Sequence, residues 1–499
     1  MTVLAHRVTA SDANDAVTRD ALAVLQPGFE GTTAPAWLLR RIGEGLTAVG
    51  LFGRNIASPE QLAALTAQLR AERDDVLVAI DEEGGDVTRL EVGAGSSFPG
   101  NLALGAVDDT GLTRDVAREL GRCLAACGVN LNWAPSADVN SNPDNPVIGV
   151  RSFGADTHLA ARHTAAYVEG LQAAGVAACT KHFPGHGDTN VDSHHALPRI
   201  DVDLDTLAAR ELVPFKAAIE AGTKAVMSAH ILVPALDPTR PATLSPQILT
   251  GLLRNELGYE GLIVTDGMEM NAIAGTYGIE RGSVLAIAAG ADAICVGGGL
   301  ADEATVLRLR DALVAAVREG TLPEERLADA ADRVRALAAW TLGVRPDARP
   351  EGSRASGIGL TAARRALRVT GTAGKLDAPY VATLAPVANI AVGDETPWGT
   401  AGELAALLPG TRADVYPQGA TAADILAAAG SRTVVAVVRD AHRHPWMTEA
   451  LDALVAARPD TVVVEMGVPL AAPRGALHIA THGASRVCGR AAAEVIAGV

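Results

Sequence analysis

The densest group of reactive side chains is KHFPGHGDTNVDSHHALP, residues 181–198, which holds Lys181, His182, His186, Asp188, Asp192, His194 and His195. Gly185 and Gly187 allow backbone angles that other residues avoid, so this stretch reads as a shaped loop rather than a helix. His182, His186, His194 and Asp192 are competent metal ligands, but their spacing matches no standard zinc pattern and no H-E-x-x-H occurs. The expectation is therefore no metal and no cofactor. Asp192-Ser193-His194 suggests instead a carboxylate that orients an imidazole, holding one ring nitrogen and leaving the other to shuttle a proton. Such a dyad needs a partner for covalent or electrostatic work. The best candidate is Asp266, which ends the apolar run of GLIVTDGMEM.

The elements that must position these groups repeat one rhythm through the first two-thirds of the chain. Short apolar or β-branched runs at 48–52, 76–81, 129–134, 177–182, 225–230, 262–266 and 293–296 read as strands. Between them, stretches such as 59–72, 159–174, 204–221 and 301–318 carry apolar residues at helical spacing. Alternating strand and helix predicts a parallel α/β architecture. Seven visible strands, with room for a short or irregular eighth, fit a (β/α)8 barrel of the TIM type better than an open sheet. Four of the strands end in ionisable residues: Asp81, Lys181-His182, His230 and Asp266. In such a barrel those ends share one mouth, where the chemistry is placed. A lone Asp after a strand is usually a helix cap; four ionisable strand ends are harder to explain that way.

The domain reading is a catalytic barrel over 1–345, a linker over 346–375 that begins in the Pro-, Gly- and Arg-rich 343–359, and a smaller domain over 376–499. Strands at 390–392, 433–438, 461–466 and 477–480, separated by Ala-rich helical stretches, make that domain an expected α/β/α sandwich. A net charge of −16 argues against nucleic acid as a partner, since neutralising phosphates needs a concentrated basic surface. No apolar run approaches the length of a membrane span and no export signal opens the sequence, so the expected placement is cytoplasmic, away from any membrane. Five scattered cysteines read as free thiols. The segment 439–444, with its Arg and His residues, reads as surface.

The blocks KHFPGHGDTNVDSH, MSAHILVPALDPTRPATLS and GLIVTDGMEM, in this order, resemble glycoside hydrolase family three. LFGRNI (51–56), DEEGGDVTRL (81–90), FPG (98–100) and GVRSFG (149–154) extend the match over roughly residues 40–345. Within the family the chain looks like the NagZ-type β-N-acetylglucosaminidases, or β-N-acetylhexosaminidases. The C-terminal unit resembles the family's sandwich domain more weakly, through ARRALRVTG (363–371) and GASRVCGRAAAEVIAG (483–498).

This resemblance implies Asp266 as nucleophile, His194 as acid/base and Asp192 as its orienting partner. It implies Asp81, Arg151, Lys181 and His182 as sugar-binding residues, with Arg89 as an addition. His230, after a strand in MSAH, is expected to line or back the site, and His195 to be structural. The implied reaction is a retaining hydrolysis that removes terminal non-reducing β-GlcNAc from muropeptide or chitin-derived saccharides, in the setting of peptidoglycan recycling. Most glycosidases pair two carboxylates; here a His–Asp dyad replaces one. An imidazole base tolerates an anionic acceptor that a carboxylate would repel. Phosphate is therefore an alternative acceptor, which would make the chain a β-GlcNAc phosphorylase. A β-glucosidase of the same family is a further alternative, and an inactive sugar-binding protein a reading from a different class. One departure stands out: the family usually has Arg after its EGG, where this chain has Asp86.

Overall fold

The computed structural model describes residues 10–192, 197–344, 357–387, 392–393 and 395–499. Eight parallel strands form the first unit: β1 (Leu25–Pro27), β2 (Ala48–Leu51), β3 (Leu77–Ile80), β4 (Leu131–Asn132), β5 (Ala177–Phe183), β6 (Ala225–Ser228), β7 (Leu262–Thr265) and β8 (Ile294–Val296). Strands β2 to β7 hydrogen-bond in sequence order as one parallel sheet, and β1 pairs with β8 as a second. A parallel bridge between Val264 and Ala293 joins β7 to the entry of β8, with Thr265 N donating to Ala293 O at 3.0 Å.

Every residue of these strands is buried, which is what a parallel sheet covered on both faces requires. Alternate residues go to different cores. Val78, Ile80, Ala178, Val226 and Ile263 face the surrounding helices, whereas Leu77, Ala79, Ala177, Ala225 and Leu262 pack together with Trp133, Cys179 and Met227. The second set is small-residue rich and lies inside the curl of the sheet, so a chain with few aromatics can still fill it. Helices flanking the sheet begin at clean caps. Ser58 accepts from Gln61 N, with Pro59 at the first helical position, and Asp109, Asp156 and Asp302 cap three further helices.

The second sheet contains β9 (Arg368–Gly371), β10 (Tyr380–Leu384), β11 (Arg412–Tyr416), β12 (Val434–Val438), β13 (Val462–Glu465) and β14 (Leu477–Ala480), in the order β11-β10-β12-β13-β14-β9. Only β9 runs antiparallel, at an edge. Val435, Val437, Val464 and Ile479 pack on the helix Arg486–Ala497; Ala436, Val438 and Val463 pack on the opposite face with the helix Pro445–Ala457. Helices therefore cover both faces. No described helix is long and apolar enough to cross a membrane.

Several elements differ from the sequence reading. The eighth strand of the first unit is Leu25–Pro27, three residues that Pro27 brings to an end, too short for any periodicity. Strands β10 and β11 were not expected. The second is an exposed polar edge, RADVY, with none of the apolar signal of a central strand. Of the strand expected at 390–392, residues 390 and 391 lie outside the described residues. The stretch 346–375, read as a linker, carries the helix Ile358–Ala366 and then β9. Ala362, Ala363 and Ala366 are buried there, and the helix packs on Arg486–Ala497 and on Asn101–Val107 of the first unit. Its Ala-rich face is masked in the sequence by the Pro/Gly-rich run before it.

Candidate active site

The C-terminal ends of the first unit's strands open on a cavity of about 460 Å³. Asp81 follows β3, Lys181 and His182 lie within β5, and Asp266 follows β7; all four line the cavity, as do Arg89 and Arg151. Trp133 and Met227 supply apolar lining. The pocket thus gathers six of the expected residues, four of them from the strand-end argument and Arg89 and Arg151 from the resemblance.

Their charges interlock. Lys181 Nζ donates to Asp81 Oδ1 at 2.6 Å and lies 2.7 Å from Glu83 Oε1. Arg151 grips the same Glu83 carboxylate with Nε at 3.0 Å and Nη2 at 2.7 Å, and donates through Nη1 to Val147 O at 3.1 Å. Burial works against the Glu83 charge, but Arg151 and Lys181 outweigh it and hold the carboxyl far below the usual carboxylate range. The same two carboxylates raise Lys181 despite its burial, so the ammonium stays charged. These bonds leave one hydrogen on Lys181 Nζ and one on Arg151 Nη1.

His182 is held in one tautomer. Arg151 Nη2 lies 3.3 Å from Nε2, and a guanidinium can only donate, so Nε2 accepts. Nδ1 then carries the proton and donates to Asp138 Oδ2 at 2.7 Å. Asp138 is fully buried and also accepts from Ser136 Oγ, at 2.8 Å, and from His186 N, at 2.7 Å. Burial disfavours its charge, but His182 and the surrounding donors keep it ionised. The neighbouring His186 is pushed down to about 4, chiefly by burial, and its Nδ1 sits 2.9 Å from Thr189 Oγ1.

The loop after β5 needs its glycines. A Cβ on Gly187 would sit 1.7 Å from Val139 O, and one on Gly185, whose φ is +123°, would sit 2.7 Å from Glu211 Oε2. Close packing against backbone and a buried side chain therefore fixes where the loop leaves the strand. Arg89 is set by Glu82, whose Oε2 accepts from the backbone N–H of both Arg89 and Leu90 at 2.8 Å. Asp266 Oδ1 accepts from Gly267 N at 2.8 Å.

Three expected residues fall elsewhere. His230 is fully buried and does not line the cavity; its Nε2 donates to Gly267 O at 3.0 Å and Nδ1 meets Thr243 Oγ1 at 2.9 Å. It braces the turn that follows Asp266. Asp192 is buried and lines a second, adjoining cavity. His194, with Ser193, His195 and Ala196, lies outside the described residues, so the dyad is not described as a pair.

Sequence reasoning missed Glu83, Asp138 and Glu269. Glu83 stands among three consecutive carboxylates, and nothing local says which turns inward. Asp138 lies in a loop beyond the shortest strand. Glu269 lines the cavity near Asp266 and accepts from Gly297 N at 2.8 Å and from Gly298 N, tying the loop after β7 to the loop after β8. It also missed the role of 439–444: Arg439, partly buried, pairs with Asp86, which in turn accepts from Ala484 N at 2.7 Å. The basic residue absent at position 86 is answered by a guanidinium from the second sheet. Among the described residues, no group of three or more His, Cys, Asp or Glu is arranged to hold a metal ion.

Parallel strands with charged groups gathered at their C-terminal ends form the kind of mouth where α/β enzymes place their chemistry, and sequence comparison supplies the family. Residues 39–337 match the glycosyl hydrolase family 3 N-terminal domain, and the chain belongs to that family. It is 38% identical over 312 residues to β-hexosaminidase A of Pseudoalteromonas piscicida, a match covering 58% of this chain and 52% of that one. The chain thus spans about half of that relative's length. Against the β-hexosaminidase of Neisseria gonorrhoeae it is 36% identical over 265 residues, covering 52% of this chain and 73% of the other. The solved family 3 β-N-acetylglucosaminidase of Paenibacillus sp. str. FPU-7 superposes with a TM-score of 0.84 at 35% identity, over 96% of each chain.

Proposed function

We propose that this chain is a retaining β-N-acetylhexosaminidase that removes terminal non-reducing β-GlcNAc from small saccharides. The observation that carries the reading is Asp266, a carboxylate at a strand end, in one cavity with Asp81, Lys181, Arg151 and His182. The β-hexosaminidase and β-N-acetylglucosaminidase relatives support the choice of sugar.

In this reading Asp266 attacks the anomeric carbon while the glycosidic oxygen takes a proton from His194, and the aglycone leaves. A glycosyl ester on Asp266 results. His194, held by Asp192, then removes a proton from water, the water oxygen attacks the anomeric carbon, and the ester bond breaks to release GlcNAc with its configuration retained. Asp266 stabilises the positive charge that develops on the ring in both steps. Asp81, Lys181 and Arg151 hold the sugar hydroxyls, with Arg89 beside them and His182 fixing the Arg151 guanidinium; the remaining Lys181 and Arg151 hydrogens are charged donors suited to that task. His230 and Glu269 position the Asp266 turn.

The eight parallel strands are read as one (β/α)8 barrel whose ring closes through β8 and β1, with the second unit taken to begin at 357. The preferred setting is cytoplasmic recycling of cell-wall or chitin fragments. The test is turnover of an aryl β-GlcNAc substrate: the wild type releases GlcNAc with retention, glucose and galactose analogues are poor substrates, and Asp266→Asn is inactive. Equal turnover of the glucose analogue would overturn the assignment of sugar.

A further inference from the structure

Asp188 belongs to the densest reactive stretch of the chain, yet it does not line the cavity that holds Asp266 or the one that Asp192 lines. Its carboxylate is taken by a helix instead: Arg210 Nη2 donates to Asp188 Oδ2 at 2.6 Å. Arg210 Nε donates to Glu211 Oε1, also at 2.6 Å, and the Glu211 side chain is fully buried. Glu211 lies against the same loop, since a Cβ on Gly185 would sit 2.7 Å from Glu211 Oε2. One guanidinium therefore ties a loop carboxylate to a carboxylate fixed in the core. Arg210 and Glu211 stand in a π-helical turn, Leu207–Glu211, set between the helical segments Leu204–Thr206 and Leu212–Glu220. Such a turn is rare and interrupts the regular hydrogen bonding, so it marks a place where the placement of side chains outweighs helix regularity.

The opposite side of the loop is held through its main chain. Asp138 Oδ1 accepts from His186 N, and Asn145 Nδ2 donates to His186 O at 2.9 Å and to Gly187 O at 3.0 Å. Asn142 Nδ2 donates to Thr189 O at 3.3 Å. Among the described residues, Asp188 and Arg210 form the last ion pair on the loop before the chain reaches Asp192.

We propose that Arg210 and Asp188 are positioning residues for the acid/base step: their ion pair, braced on Glu211, sets the segment carrying Asp192 and His194 where a proton can pass to the glycosidic oxygen. The inference rests on the hexosaminidase reading, which gives His194 that role. Neither residue lines the sugar cavity, so sugar binding is spared when the pair is broken. Misplacing a catalytic group by about 1 Å costs on the order of 10²-fold, and here the cost falls only on leaving groups that need the proton.

The measurement is kcat/KM, which reports cleavage of the glycosidic bond, for wild type, Asp188→Asn, Arg210→Gln and the double variant. The substrates are dinitrophenyl β-GlcNAc, whose leaving group departs without protonation, and GlcNAc-β-1,4-GlcNAc, whose sugar alcohol does not. On the disaccharide, Asp188→Asn is expected to lose about tenfold and Arg210→Gln about 30- to 100-fold. Each is expected to lose less than about threefold on the dinitrophenyl substrate. The double variant is expected to be no worse than Arg210→Gln, because the two side chains act through one contact. Asp188 is partly exposed, so Asp188→Asn is expected to keep the wild-type thermal transition; it decides the matter if Arg210→Gln, which strips Glu211 of its partner, does not fold. Three results would overturn the proposal: equal losses on the two substrates, an Asp188→Asn variant indistinguishable from wild type on the disaccharide, or a double-variant loss equal to the product of the single losses. Failure of the wild type on both GlcNAc substrates would instead strike the underlying functional reading.

Discussion

The cavity that holds Asp266 and the one adjoining it, two lobes that share Val147, Ile148 and Arg151, are built on opposite principles. In the first, nearly every charge is spent on a neighbour: Glu83 is gripped by Arg151 and Lys181, Lys181 also by Asp81, and His182 is pinned between Arg151 and Asp138. In the second, Arg443 and Thr396 have no such partners among the described residues. A site for one invariant sugar gains from donors fixed before binding, since no reorganisation is then needed as charge develops. The difference also separates stability from recognition. Substitutions within the first lobe's ion-pair network should damage both folding and catalysis, whereas those at Arg443 or Thr396 should leave stability unchanged.

The comparison can be broken first at Asp266. Asp266→Asn should lower kcat by on the order of 10³-fold or more while leaving the thermal transition within about 2 °C, measured by steady-state kinetics and calorimetry. Next, Glu83→Ala leaves two buried cations without their shared carboxylate. It should cost about 3–5 kcal/mol in denaturant unfolding and abolish activity, because the same carboxylate holds Arg151 and Lys181. A loss below about 1 kcal/mol would mean that the first lobe is not the rigid network described. Across the units, Asp86→Ala removes the partner of Arg439. An expected loss of about 2–3 kcal/mol, with the two units unfolding in separate steps, would show that this pair couples them.

The smallest expected effect concerns pH. Burial pushes Glu211 up to about 7, opposed by Arg210, and its Oε2 is buried without a partner among the described residues. A carboxyl whose folded pKa lies above its unfolded value favours the native state while protonated. Its contribution is therefore lost as pH rises from about 4.5 to about 7. Glu211→Gln should flatten the stability profile across that window, by at most about 3 kcal/mol, and raise the melting temperature at pH 8 relative to wild type. A profile identical to wild type would place the Glu211 carboxyl near its ordinary value.

Much of the first lobe was legible in the sequence because strand ends are local signals. Asp81, Lys181, His182 and Asp266 each terminate an apolar run, and parallel topology brings such ends together. The same logic reaches His230 only as a group that backs the site: it follows β6 but turns to Gly267 O and Thr243. Residues whose role depends on distant partners were not legible. Asp86 meets Arg439 and Ala484 across the interface between the units, so Asp86 reads as a lost basic group and 439–444 as surface until the second sheet is in place. The helix Ile358–Ala366 was hidden for a different reason: its burial depends on packing against Arg486–Ala497, which no local pattern announces.

The central claim is that Asp266 forms the covalent bond to the sugar. Its most direct test is to inactivate the enzyme with a slow fluorinated GlcNAc donor, digest it, and locate the adduct by mass spectrometry. The expected result is one glycosyl group per chain on the peptide containing Asp266, released with the same rate at which activity returns. A label on Asp81, Glu83 or Glu269, or complete inactivation with no label on any carboxylate, would contradict it.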